Sequence, residues 1–248
     1  MIASLPMYDR PELSDAHSRL WDAIRANLEG AGIQSPDALL QEAANDEVWT
    51  SSNLVLSQTC GYPYRTRLHD KVQLVGTPDY GLPGCPPGYY NSYIIAHKNN
   101  SVSNIAAMQQ GVLAFNSLDS QSGYIAALHH LRACRFVIGG TIETGSHRSS
   151  VQAVAERQAD IASVDAVSWR FMEQYDAVCE DLKVIGRTKP TPGLPYITAK
   201  GHDAAAVAEA VSSAIDTLPS DIRSKVMIEA LVDIPASDYL ALNAVMAG

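Results

Sequence analysis

Short apolar runs alternate along this chain with segments whose apolar residues recur every three or four positions, the spacing of one helix face. Ile2 to Tyr8 reads as a strand, and Leu13, Leu20, Trp21, Ile24 and Leu28 then mark a helix ending near Gly30 and Gly32. Further strands are predicted over Asn53 to Ser57, Lys71 to Gly76, Tyr93 to His97 and Gly111 to Phe115, the last feeding a polar turn and a helix from about Tyr124 to Arg132. In the second half, Thr141 to Ser149 opens a helix that continues through Val151, Val154 and Arg157. Ala159 to Asp165 reads as strand, Asp165 to Tyr175 as helix, and Leu182 to Gly186 and Tyr196 to Ala199 as strands. Three helices close the chain: Ala204 to Leu218, Ser220 to Leu231 and Ser237 to Ala247. Such alternation predicts an α/β fold with largely parallel sheets.

Two stretches rich in proline and glycine, at positions 81 to 88 and 190 to 195, each adjoin an apolar strand. Two chain crossings of this kind suit two lobes joined by a two-strand hinge, with the C-terminal part returning to the first lobe. The lobes are placed at 1–93 with 195–248, and at 94–194. No long-period repeat interrupts this organisation.

Composition narrows the function classes. With 248 residues, 46% of them hydrophobic, the chain is long enough for two real cores. A formal charge of -9 and a pI near 5.2 argue against a nucleic-acid partner, which needs a basic face. No run approaches the roughly 18 apolar residues of a membrane span, so a soluble chain is expected. The start, MIASLPMYDRPE, lacks the features of a secretory signal. As encoded the chain is expected in the cytoplasm, and in the periplasm if it is a trimmed mature form. Cys60, Cys85, Cys134 and Cys179 lack metal-site spacing, so no metal or other cofactor is expected; a pair of disulfides is conceivable only in an oxidising compartment.

Candidate chemistry concentrates in two turns. In FNSLDSQSGY, Ser120 and Ser122 offer hydroxyls, Gln121 an amide, and Gly123 lets backbone N–H groups approach an oxyanion closely. The same residues also suit an ordinary helix cap. Thr144 to Ser150 repeats the device: Gly145, Ser146 and His147 stand where a helix begins, so two helix N-termini could converge on one small anion. Asp165, at the end of the ADIASVD strand, could accept from a ligand hydroxyl, orient His147, or cap the next helix.

The order SxSGY, then GSHxxSVxAVAxxxADIAxVD, carried by Ser120, Gln121, Ser122 and Gly123, then Gly145, Ser146, His147, Ser150, Val151, Ala153, Val154 and Ala155, then Ala159 to Asp165, resembles the phosphate/phosphite/phosphonate substrate-binding proteins of ABC transporters. These are PhnD-like members of the type II periplasmic-binding-protein fold. The resemblance implies a two-lobed clamshell, a mostly parallel sheet in each lobe, closing on a small phosphonate- or phosphate-like anion for uptake through an ABC permease. It places Ser120, Gln121, Ser122, Gly123, Ser146, His147 and Asp165 on one wall, and Tyr8, Gln58, Thr59 and Tyr62 on the other. The chain departs from the family's STSG turn at Gln121, and Arg148 stands where many relatives carry Asp, adding positive charge that would favour a doubly charged or carboxylate-bearing ligand. Such a clamshell is expected to be a monomer.

An enzyme is the weaker expectation. Cys60 with His69 or His147, or Ser146 beside His147, could supply a nucleophile, but no GxSxG, HExxH or GxxxxGK[ST] pattern accompanies them. A cytoplasmic sensor of the same fold, binding a carboxylate, remains the alternative to uptake.

Overall fold

The computed structural model describes residues 1–41 and 44–246, without the side chains of 243–246; absences and counts below refer to these residues. In chain order the elements are β1 (Ile2–Ser4), α1 (Ser14–Gly30), α2 (Asn45–Trp49), β2 (Leu54–Gln58), α3 (Gly61–Pro63), β3 (Val72–Asp79), β4 (Tyr89–Tyr90), β5 (Ser92–His97), β6 (Gln110–Phe115), α4 (Ala126–Ala133), β7 (Val137–Glu143) and α5 (His147–Ala155). Then follow β8 (Ile161–Asp165), α6 (Ala166–Tyr175), β9 (Leu182–Arg187), β10 (Thr191–Pro192), β11 (Tyr196–Ala199), α7 (Ala204–Thr217), α8 (Ser220–Val226), β12 (Ala230–Val232) and α9 (Ala236–Met246). The chain divides into two compact units, Met1–Tyr89 with Pro192–Gly248, and Tyr90–Thr191. It passes between them at two short strands, β4 and β10, which pair with one another.

Unit 1 is built on the sheet β1-β2-β11-β3-β12. Its α1 buries Leu20, Trp21, Ile24 and Leu28 on one face, as their spacing requires, and packs on α7 and α8. Unit 2 is built on β7-β6-β8-β5-β9, with a core that includes Ile94, Leu113, Leu131, Phe136, Ile161 and Ile185. Each such side chain stabilises the unit by roughly 1.5–3 kcal/mol on leaving water.

Strand direction corrects the expectation of mostly parallel sheets. In unit 2, β6 runs parallel to β7 and β8, and β5 is antiparallel to both β8 and β9. In unit 1, β1 and β2 are parallel, but β11 enters antiparallel between β2 and β3, and β12 is antiparallel to β3. The unit 1 sheet is mixed because β11 and β12, which come after the second crossing, return against the direction of the earlier strands, and the unit 2 sheet because β5 runs against its other four.

Several element boundaries also differ from the sequence pattern. The first strand stops at Ser4, two residues short of Pro6, whose missing N–H cannot join a ladder. The segment assigned to the start of a helix at Thr141 is instead the end of β7, paired with β6, and Gly139-Gly140 is what hides its alternation. The helix expected to reach Leu231 ends at Val226, because Met227 adopts a left-handed conformation (φ 57°), and Ala230–Val232 joins β3 as an edge strand. Ala247, the expected end of the last helix, lies outside the described residues.

Charge is divided unevenly. Nine Lys or Arg and nine Asp or Glu fall within 90–191, so unit 2 is formally neutral and the whole -9 belongs to unit 1.

Gly193, beside β10, offers a test of how tightly the crossing is packed. A Cβ there would lie 2.6 Å from the Gly88 carbonyl oxygen and 3.1 Å from Thr77 Cγ2, while the Gly193 N–H donates to that same carbonyl. Backbone cannot give way as a side-chain tip can, so Gly193→Ala is expected to destabilise the protein by about 1–3 kcal/mol in urea unfolding. Gly201→Ala, whose Cβ would meet nothing within 4 Å, should leave the midpoint nearly unchanged.

Candidate functional site

The C-terminal ends of β6, β7 and β8 lie along one edge of the unit 2 sheet, and each leads into a helix, β6 and β7 through a turn and β8 directly. Ligands of open α/β sheets bind outside such strand ends, where first-turn N–H groups have no acceptor within their own helix. The two serine-bearing turns singled out in the sequence occupy the first two of these places, and Asp165 the third.

After β6, Ser120 caps a π-helical turn over Gln121–Ile125, its Oγ accepting from the Gly123 N–H at 3.0 Å. The Ser122 carbonyl accepts two hydroxyls, from Ser92 Oγ (2.9 Å, β5) and Ser163 Oγ (2.7 Å, β8). Both donors are buried. They hold the peptide between Ser122 and Gly123 with its oxygen turned into the sheet. A Cβ on Gly123 would fall 1.8 Å from Asn116 Oδ1 and 3.2 Å from His147 Cε1, so a side chain there would have to displace the Asn116 amide.

After β7, Gly145 takes φ +84°, a conformation suited to glycine, and turns the chain into the Ser146 cap. Ser146 Oγ accepts from the Ser149 N–H at 3.0 Å. Two backbone bonds tie this turn to the first, Thr144 N–H to Phe115 O (2.9 Å) and Gly145 N–H to Asn116 O (3.0 Å). Thr144 Oγ1 adds a third, donating to Phe115 O at 3.0 Å. His147, the first residue of α5, then reaches Ser122 Oγ through Nε2 at 3.1 Å. Burial holds its pKa down, from the ordinary 6.5 to about 4, so the imidazole is neutral at pH 7. A neutral ring carries one donor and one acceptor nitrogen, and the tautomer decides whether Ser122 gives its hydrogen to His147 or keeps it for a ligand.

After β8, Asp165 Oδ1 accepts from the N–H groups of Val167 (2.7 Å) and Ser168 (2.9 Å). Of the three roles open to it, these contacts are those of a helix cap. Arg148 corrects the expectation of added positive charge: its Nη2 donates to the buried Asp176 at 2.8 Å. The wall therefore offers hydroxyls, backbone N–H groups and a neutral imidazole.

The four residues assigned to an opposing wall lie in unit 1. Gln58 is buried and its amide donates to Leu194 O (3.1 Å) and Tyr80 OH (3.4 Å). Thr59 is buried and donates to Cys60 O at 3.3 Å. Tyr8 is buried edge-on against Tyr80, with centroids 5.1 Å apart. Tyr62 alone of the four is only half-buried, with the Arg65 guanidinium 4.7 Å above its ring. All four cysteines are thiols. No group of three or more His, Cys, Asp or Glu that could hold a metal is present among the described residues.

Ser92 and Ser163 escaped the sequence pattern, whereas Thr144 and Asn116 lie within the two turns it marked, without a role of their own assigned there. Ser163 left a signal, a hydroxyl within the otherwise apolar IASV of its strand; Ser92 left none, since its importance comes from residues distant in sequence.

The family model for the ABC transporter, phosphonate, periplasmic substrate-binding protein matches residues 51–238. The chain belongs to that family. No curated protein matches it in sequence. Among solved structures, XAC2383 from Xanthomonas citri bound to ATP is similar with a TM-score of 0.72 and 13% identity, over 100% of this chain and 95% of that one. PhnD1 from Prochlorococcus marinus (MIT 9301), in complex with methylphosphonate, gives 0.71 and 13%, over 98% and 96%. MatC from Rhodopseudomonas palustris, with bound malate, gives 0.61 and 13%, over 100% and 95%. The fold is thus that of type II periplasmic binding proteins, and the ligands on it vary. Among the described residues no helix is long and apolar enough to cross a membrane.

The pH dependence of stability follows from His147. The unfolded chain takes up the imidazole proton near pH 6.5 and the folded chain only near 4, so stability should fall as pH drops through that window. His147→Gln should remove this component: the difference in urea midpoint between parent and variant is expected to change between pH 7 and pH 4. A constant difference would mean that His147 is not held neutral by burial.

Proposed function

We propose that this chain is a solute-binding protein that captures a small phosphonate- or phosphate-like oxyanion and hands it to an ABC permease, working in the periplasm. The ligand is held on unit 2 by Ser120, Gln121, Ser122, Gly123, Ser146 and His147. The observation that carries the reading is the convergence of two cross-linked helix starts at one sheet edge, with the Ser122 peptide anchored by two buried hydroxyls. Fixed dipoles of this kind suit an anion without a formal countercharge. Membership of a family of phosphonate-binding proteins supports the substrate class. The proposal is of capture and release without turnover.

Calorimetric titration with methylphosphonate, phosphate, sulfate and malate tests the reading. Binding of a phosphorus oxyanion is expected, and thermal unfolding should rise accordingly, since ligand at a hundred times its Kd stabilises by about 2.7 kcal/mol. Ser122→Ala is the informative variant, because the Ser120 hydroxyl also caps its own turn. Loss of a hydrogen bond to a charged group should weaken binding by about 1.5–3 kcal/mol. Binding of malate alone would move the ligand to the carboxylates, and unchanged affinity in Ser122→Ala would displace the wall.

A further inference from the structure

The buried polar atoms of unit 2 that lack a hydrogen-bond partner include Asn91 Oδ1 and Asn116 Oδ1. These two are not scattered. Asn116 directly follows β6, and Asn91 directly precedes β5, whose antiparallel course brings its start to the same sheet edge. The Asn91 carbonyl accepts from the Ala166 N–H at the start of α6, and Ser92 faces Asp165 in the ladder. Asn116 Oδ1 and His147 Cε1 both crowd the space over Gly123.

Buried polar atoms without partners are rare and costly, so a cluster at one edge calls for an explanation. An amide oxygen can only accept a hydrogen. A fully deprotonated oxyanion presents only lone pairs, which would oppose those of Asn116 and Asn91. A ligand that keeps one O–H would supply the missing hydrogen while its other oxygens take the N–H groups and hydroxyls of the turns.

We propose, resting on the oxyanion reading above, that the site selects an oxyanion still bearing a hydroxyl, such as a hydrogen phosphonate monoanion, through acceptance of that single hydrogen by Asn116 Oδ1. Asn116 thereby becomes a specificity residue, and rejection of hydroxyl-free anions follows from an unpaired acceptor rather than from size. Sites built around a ligand hydroxyl reject analogues lacking it far more strongly than sites that sort by shape.

The test compares methylphosphonate with methanesulfonate at one pH, about one unit below the second ionisation of the phosphonate. Both are then monoanions of nearly the same shape, differing in one O–H. Methylphosphonate is expected to bind at least about a hundredfold more tightly. Asn116→Leu should narrow that ratio by about tenfold or more, mainly by weakening methylphosphonate. Asn116→Ala serves as the second variant should Asn116→Leu not fold, as judged by circular dichroism, and should narrow the ratio in the same direction. Equal binding of the two anions, or a ratio unmoved in folded variants, would overturn the selection while leaving oxyanion capture standing. Binding of neither anion would remove the oxyanion reading, and this inference with it.

Discussion

The Ser122 carbonyl, held by hydroxyls from two neighbouring strands, is the contact on which the binding edge depends. Left to itself, a polar turn rich in serine and glycine samples many conformations, and a neutral wall can hold an anion only if its dipoles are already aligned. Ser92 and Ser163 remove that freedom from inside the sheet. Because both are buried, their hydroxyls have no competing water, and the bonds they make fix the direction of the next peptide. Position is inherited upward: the peptide places Ser122, Ser122 meets His147, and His147 is carried by a helix whose own turn is bonded to the end of β6.

Much of this was legible in the sequence where the information was local. The apolar runs of β2, β5, β6 and β8 announced themselves, and so did the helix spacing of α1. Both turns stood out because hydroxyls, glycine and histidine gathered where strands gave way to helices. What escaped was non-local. The two serines that anchor Ser122 are 30 and 41 residues from it in the chain. Arg148 looked like free charge because its partner, Asp176, lies beyond the far end of another helix. β7 was hidden by a glycine pair at the sheet edge, where half-exposed residues leave little apolar signal, and β12 by a left-handed Met227 that no short-range pattern anticipates.

The comparison with solved structures sets fold and ligand apart. Proteins with 13% identity to this chain share its architecture over nearly their whole lengths, yet one is bound to ATP, one to methylphosphonate and one to malate. Architecture delivers helix starts to a sheet edge; side chains at those starts decide what they hold. On the reading proposed for this chain, the balance of donors and acceptors, rather than net charge, is the variable that would distinguish one anion from another.

The division of charge between the units bears on how unit 2 receives a charged ligand. With nine positive and nine negative formal charges, unit 2 has no net charge of its own to reach into solvent, and its helix starts and hydroxyls are dipoles whose attraction fades over short distances. Salt at physiological strength screens exposed charges beyond about 8 Å and touches such close contacts little. An anion on the proposed site would therefore be held by contact and not by a long-range field of unit 2.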